Sequence, residues 1–311
     1  MATKGAQQRT QKGQSVINFT EDQAREYIEK MLWPNGEPVC RHCGSVNAYR
    51  MQGASCRPGL CRCRDCKKQF TVTVGTIFED SHLPLATWVK AIHLMSSSKK
   101  GISALQLQRN LGLGSYRTAW FMAHRIRLAM KCEPMTGMLK DEVQVDETFV
   151  GGKPRTARRG KQGLTTKKPV IVMVEKDGKA VCHPIESTST KTLGAAMDTV
   201  IHPTAKIVTD EWPAYRRAAA KYAAHETVCH SADQYVNERG FHTNTAEGFF
   251  SLLKRGVYGT FHHVSHEHLH RYCDEFAFRW NGRTLTDADR RDAALKQVEG
   301  KRLMYRKPTQ P

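Results

Sequence analysis

The sequence predicts a mixed α/β protein in which a mixed sheet flanked by helices follows two small modules. Three observations carry that expectation. Six cysteines crowd into residues 40–66, the run from Pro84 to Met130 is helical throughout, and short β-branched runs beyond residue 140 are interleaved with helical segments.

Residues 1–17 are polar and basic and read as a disordered arm. Thr20-Glu21-Asp22-Gln23 fits a capping box, and Ala24, Tyr27, Ile28, Met31 and Leu32 follow at helical spacing until Pro34-Asn35-Gly36 ends the helix. That helix and the cysteine-rich stretch, with a strand-like run at 69–74, make a first module over 18–80. Helices are expected at 85–95, 102–111 and 116–130, with a turn at Gly112–Ser115, making a second module over 81–135. A larger domain spans 136–283, with strands at 143–150, 170–175, 180–185 and 205–209 and a hairpin at 174–179. Its helices are expected at 190–201, 212–223, 244–256 and 266–281, and residues 284–311 read as a helix and a frayed tail. No internal repeat suggests a solenoid.

Lys and Arg number 48 against 30 Asp and Glu, a net charge of +18. Such an excess favours polyanions over mere solubility and makes their binding salt-dependent through counterion release. A membrane surface fits less well, because no basic amphipathic anchor stands out and no apolar stretch approaches the ~20 residues of a spanning helix. The N-terminus lacks an apolar core of the kind a signal peptide needs, so a cytoplasmic protein with reduced thiols is expected.

In that setting Cys40-Arg-His-Cys43 and Cys63-Arg-Asp-Cys66, 19 residues apart, read as two knuckles holding one tetrahedral zinc. A redox role would need a thioredoxin-like βαβ context that is missing. Cys61 is an alternative to Cys63, and His42 reads as surface. Four thiolates leave no open position, so this zinc folds the module and does not catalyse.

The helix pair around Gly112–Ser115 has helix–turn–helix proportions, although a helical hairpin that joins domains has the same spacing. In the first reading Arg117 and Thr118 lead the recognition helix and Trp120, Ala123 and Ile126 pack. His124, Arg125 and Arg127 then face backbone phosphates.

Asp146 and Asp210 each end a β-branched run, and Glu247 lies on a helical stripe with Asn244, Ser251 and Lys254. Two strand-borne carboxylates and one from a helix can hold a pair of divalent ions beside a phosphodiester. Asp146 is the natural bridge and Asp210 the second ligand. Glu247 is favoured as the third because it neutralises metal charge, whereas Asn244 offers only a neutral oxygen. Lys254 could clamp a phosphate. Between the first two strands, residues 151–169 carry Lys153, Arg155, Arg158 and Arg159 among further cations and no acid, a basic loop suited to a DNA backbone, as is Arg255. His230, His242, His262 and His263 flank the helical stripe.

Taken together, these stretches resemble the insertion-sequence transposases of the ISXO-like DDE type with an N-terminal zinc ribbon. Matching segments are Cys40–Cys43, Cys63–Asp80, Val145–Lys153, Thr209–Trp212, His242–Gly256 and Tyr272–Arg283. The resemblance covers roughly residues 25–283. It implies an RNase H-like catalytic domain, two catalytic Mg²⁺ and one structural Zn²⁺, and cutting and joining of double-stranded DNA without a covalent protein intermediate. It also implies work at the nucleoid by a homodimer or higher assembly, since two element ends must meet. Asp146 and Asp210 carry over directly; the third position stays open between Glu247 and Asn244, since related chains use either residue type. A non-catalytic DNA-binding regulator built on the same ribbon and helices, and a metal-dependent nuclease of the same fold, are the rival expectations.

Overall fold

A computed structural model describes residues 18–132, 138–151, 167–229 and 236–304. The chain divides into two compact units, Met1–Met130 with Leu285–Pro311, and Lys131–Thr284.

In the first unit, α1 (Glu21–Leu32) starts at the expected capping box, with Thr20 and Gln23 satisfying each other's backbone. A small antiparallel sheet follows in the order β1 (Ala48–Arg50), β2 (Cys61–Cys63), β3 (Gln69–Phe70). The strand-like run to Val74 stops early, because residues 72–79 close successive turns instead. Then come α2 (Leu85–Ser97), α3 (Ala104–Leu111) and α4 (Tyr116–Met130). Ser103 caps α3, and Gly112 ends it in a left-handed conformation (φ 64°) that a glycine adopts without strain. The C-terminal segment supplies α9 (Asp287–Lys296), capped by Thr286. Its Arg290 donates to the Ser96 carbonyl at the end of α2, and its Arg291 guanidinium lies over the Tyr27 ring of α1.

One expectation for α4 is corrected by this packing. Arg125 does not face solvent phosphates: it is 5 % exposed, lies over Trp88 and Phe121 and donates to the Glu79 carbonyl. Arg127 and His124 are buried as well. The reason is that α4 is covered along several faces, so its long polar side chains serve as packing stems. Arg117, by contrast, is exposed at the helix start.

The second unit is built on five strands in the order β6-β5-β4-β7-β8: Ala180–Pro184, Lys168–Glu175, Glu142–Val150, Lys206–Thr209 and Ala224–Thr227. The pairs β4–β5 and β5–β6 are antiparallel, and β4–β7 and β7–β8 are parallel. This mixed order around a central β4 is that of an RNase H-like sheet. Alternation along β5 makes the two cores. Ile171 and Met173 join Val143, Val145 and Ile207 beneath α5 (Thr190–Asp198) and α6 (Pro213–Ala218). Val170, Val172 and Val174 face the other way, against α7 (Asn244–Gly256) and α8 (Leu269–Asn281).

Two elements differ from expectation here. The helix expected over 212–223 is only six residues, Pro213–Ala218, because the chain turns back to lay down β8. β8 is half-buried and carries no apolar alternation, so nothing in its sequence marks it as a strand. α7 ends as expected at Gly256 but continues into a π-helical turn, Val257–Phe261. Among the described residues, no helix is long and apolar enough to cross a membrane.

Candidate active site and metal centre

In the ribbon, the first knuckle precedes β1 and the second starts at the last residue of β2, which brings Cys40, Cys43, Cys63 and Cys66 together with all four sulfurs within 4.8 Å of one another. Cys40 Sγ lies 3.6 Å from Cys66 Sγ, and Cys43 Sγ lies 3.7 Å from Cys63 Sγ. A tetrahedron of thiolates about 2.3 Å from zinc has edges of about 3.8 Å, so this cage fits the ion. Cys61 is not part of it: its thiol reaches back toward the Gly59 carbonyl, and burial pushes it up to about 11. His42 is exposed, as expected, with Nε2 3.2 Å from the Gln69 carbonyl oxygen.

The second site grows from the register of the large sheet. In the parallel pair β4–β7, Gln144 stands opposite Val208. Two residues further on, each chain delivers its aspartate, Asp146 in mid-strand and Asp210 just past the end of β7. Val145 belongs to the α5–α6 core, so alternation along β4 turns Asp146 toward the α7 side, and Asp210 is near enough for its charge to act on the Asp146 carboxyl. On α7 the residues Ala246, Phe249, Phe250 and Leu253 are buried, which leaves Glu247, Ser251 and Lys254 along the helix edge. A cleft of 480 Å³ is lined by Asp146, Glu147 and Thr148 from β4 and by Glu247, Phe250, Ser251, Lys254 and Arg255 from α7. Asn244, the first residue of α7, is exposed and is not among those lining side chains.

Electrostatics tie the carboxylates into one group. Burial pushes the Asp146 carboxyl up to about 7, helped by the negative charges of Glu147, Asp210 and Glu247 and opposed by the Glu147 amide, which donates to its Oδ1 at 2.8 Å. Glu147 is raised too, mainly by burial, against the hydrogen bond it accepts from the Tyr215 hydroxyl. Asp210 is held locally by the Trp212 amide, 3.1 Å from Oδ1. Among the described residues only the cysteines bring three or more ligand atoms within 4.8 Å. The carboxylates share a field without that closeness. Ligands on different ions of a two-metal site, with ions about 4 Å apart and oxygens about 2 Å from each, sit up to about 8 Å apart. A desolvated carboxylate among other carboxylates, all hard oxygen donors, therefore fits Mg²⁺.

One positioning group was not anticipated from the sequence. Thr243, at the start of α7, makes no side-chain cap. The fully buried Gln144 does that work from β4: its Oε1 accepts from the Thr245 and Ala246 amides at 3.0 and 3.2 Å. Its Nε2 lies 3.3 Å from His242 Nδ1. The clasp ties the helix bearing Glu247 to the strand bearing Asp146, and the only signal for it was a polar residue at strand period from Asp146. Tyr215 likewise links α6, just beyond Asp210, to β4. His262 and His263 are exposed beyond α7, His262 at φ 59°. Lys153, Arg155, Arg158, Arg159 and His230 lie outside the described residues.

The ISXO2-like transposase domain family matches residues 138–281, and the transposase zinc-ribbon domain family matches 19–69. A protein in transposable element ISH50 of Halobacterium salinarum is 26 % identical over 277 residues, covering 84 % of this chain and 90 % of its own length. A chain from a simian T-cell lymphotropic virus intasome in complex with PP2A regulatory subunit B56 gamma aligns at 16 % identity. It covers 63 % of this chain and 69 % of its own, with a TM-score of 0.31, too slight a likeness to carry an argument.

Proposed function

Because the chain belongs to the ISXO2-like transposases with an N-terminal zinc ribbon, we propose that it binds the ends of its element, cuts there by metal-assisted hydrolysis and joins the freed 3′-hydroxyl to target DNA. The single observation behind the reading is the cleft lined by Asp146 on β4 and Glu247 on α7, with Asp210 near enough for its charge to raise the Asp146 carboxyl.

In this reading Asp146, Asp210 and Glu247 hold two Mg²⁺. When bound, such ions stabilise charge on the phosphoryl group and on its attacking and leaving oxygens. The protein's own residues do the rest. Asp146 sits on the central strand of the sheet, so its carboxylate is held rigidly as the shared ligand. Glu247 supplies the third carboxylate, in preference to Asn244, because its charge acts on Asp146 across the cleft they both line, whereas Asn244 offers only a neutral oxygen. Lys254 and Arg255 supply the cleft's positive rim and hold the phosphates on either side of the scissile one. Ribbon and helices of the first unit carry the grip on duplex ends, Arg117 from the start of α4. Bringing two ends together calls for a dimer or larger assembly on DNA.

The test is a strand-transfer assay with purified protein, Mg²⁺ and pre-cleaved element-end DNA, with Asp146→Asn and Glu247→Gln alongside. Joining by the unmodified protein, reduced about 10²-fold or more in both variants, is the expected result. Joining that survives Glu247→Gln moves the third ligand to Asn244. Cleavage without joining makes the protein a nuclease, and tight binding with neither makes it a regulator.

A further inference from the structure

The solvent face of the ribbon's three-stranded sheet was not among the expected contact residues, and its chemistry is distinctive. Between Cys40 and Phe70 the chain carries seven Lys and Arg and a single acid, Asp65. Register sorts the side chains of the sheet into two faces. Cys61, Cys63 and Phe70 point inward and are buried. Tyr49, Arg62 and Gln69 stand opposite one another across all three strands and are exposed.

Arg64 extends this row. Its guanidinium lies over the Tyr49 ring, 5.2 Å from the centroid, so the charge is held in place above an exposed aromatic. Arg62 donates through Nε to the Lys67 carbonyl at 3.4 Å, which brings the exposed knuckle residue Lys67 beside it. The one acid, Asp65, accepts from the Ser45 hydroxyl and from Asn47 Nδ2 at 2.9 Å, and its charge acts on Lys67 without a close ion pair. Neither Arg62, Arg64 nor Lys67 forms an ion pair with an acid among the described residues.

We propose that this face, Tyr49, Arg62, Arg64, Lys67 and Gln69, is a duplex-DNA contact surface, with Arg62, Arg64 and Lys67 on backbone phosphates. The inference rests on the reading of the chain as a DNA-binding transposase and adds to it which surface of the ribbon meets DNA. Charge complementarity selects the occupant: a flat row of three cations against one acid, pre-set by a stacked arginine and a rigid zinc knuckle, matches a line of phosphates. The zinc has no part in chemistry here; it fixes the spacing of the cations.

The experiment is a salt titration of full-length, zinc-loaded protein on a 30-base-pair duplex of random sequence. The unmodified protein is compared with the triple variant Arg62→Ala, Arg64→Ala, Lys67→Ala, and with a charge-matched control, Lys140→Ala, Lys179→Ala, Lys191→Ala, made at exposed positions of the second unit. The ribbon variant should keep its zinc, lose about ten-fold or more in affinity at 0.15 M salt, and give a log K against log salt slope shallower by about 2 to 3, the loss of up to three phosphate contacts. The control should keep most of the slope. Equal affinity and slope for the ribbon variant and the unmodified protein overturn the surface alone. Equal losses in variant and control also overturn it, since net charge then accounts for the effect. No duplex binding by the unmodified protein overturns this inference and the DNA-binding reading beneath it together.

Discussion

The four thiols of the ribbon and the three carboxylates proposed to hold Mg²⁺ in the second unit are built in opposite ways. The thiols come from two short knuckles and meet across 3.6 and 3.7 Å, a closed cage whose geometry is complete within residues 40–66. The carboxylates come from β4, from the residue after β7 and from α7, spread over residues 146–247. Asp146 and Glu247 line one cleft, Asp210 acts on Asp146 through its charge, and the three do not close on each other. A structural site concentrates its ligands and leaves nothing open. A site meant to admit a phosphodiester must keep its carboxylates apart, half-solvated and mutually repelled, and let the rest of the fold hold them there.

If that contrast is right, removing zinc should have the largest effect. Binding of a structural zinc is folding free energy, about 10–16 kcal/mol near pH 7 in isolated fingers. Cys63→Ser or a strong chelator should leave the protein without zinc and expose the backbone amides of residues 40–70 to rapid hydrogen exchange. Strands β4–β8 should stay protected. Ribbon amides that remain protected without metal would mean that packing alone, such as Phe70 against Trp33 (ring centroids 6.3 Å apart), holds the module.

Much of this contrast could be read from the chain, for physical reasons that differ between the sites. The C-x2-C pairs are local, so spacing alone predicts the cage. Asp146 and Asp210 stood out as candidates because each ends an apolar β-branched run, and strand period then decides the face of Asp146. Glu247 and Lys254 stood out from helical period, which groups Asn244 with them; of the three, Glu247 and Lys254 line the cleft beside Asp146. Arg125 was misread because a long cation on a recognition-like helix gives no sign of being covered by Trp88 and Phe121. β8 carries no alternation to find. Gln144 and Tyr215 act across the fold, and a lone polar residue in a strand says nothing about which distant amide or carboxylate it will meet.

The Gln144 clasp offers a middle-sized test, because it belongs to the open site but not to its ligands. Gln144→Leu leaves two amides of α7 buried without their acceptor, a cost of about 2 kcal/mol judged from lost caps and unsatisfied donors. If the clasp also sets where Glu247 stands against Asp146, the variant should need several-fold more Mg²⁺ for half-maximal joining. Gln144→Glu, which still accepts both amides and suits the positive end of a helix, should recover most of that. Lower stability with an unchanged Mg²⁺ requirement would make Gln144 a fold residue and nothing more.

The smallest effect is the most direct measure of repulsion in the open site. Asp146 is ordinarily a group with a pKa of 3.8, and in the folded protein it is pushed up to about 7 by burial and by its acidic neighbours. The folded protein therefore holds this proton more tightly than the unfolded chain. Its contribution to stability is complete below about pH 4 and is lost as pH rises through about 7. In metal-free protein that loss should be on the order of 1 kcal/mol, discounted for the partial exposure of the carboxyl. Asp146→Asn removes it, so the inactive variant should melt higher than the unmodified protein at pH 8 and alike at pH 4. Mg²⁺ should narrow the gap at pH 8 by stabilising only the unmodified protein, through mass action on the folded state. A variant that melts lower at pH 8 would mean that the Asp146 carboxylate is already well satisfied by the Glu147 amide, and that the second site is closed by hydrogen bonding much as the first is closed by its four thiols.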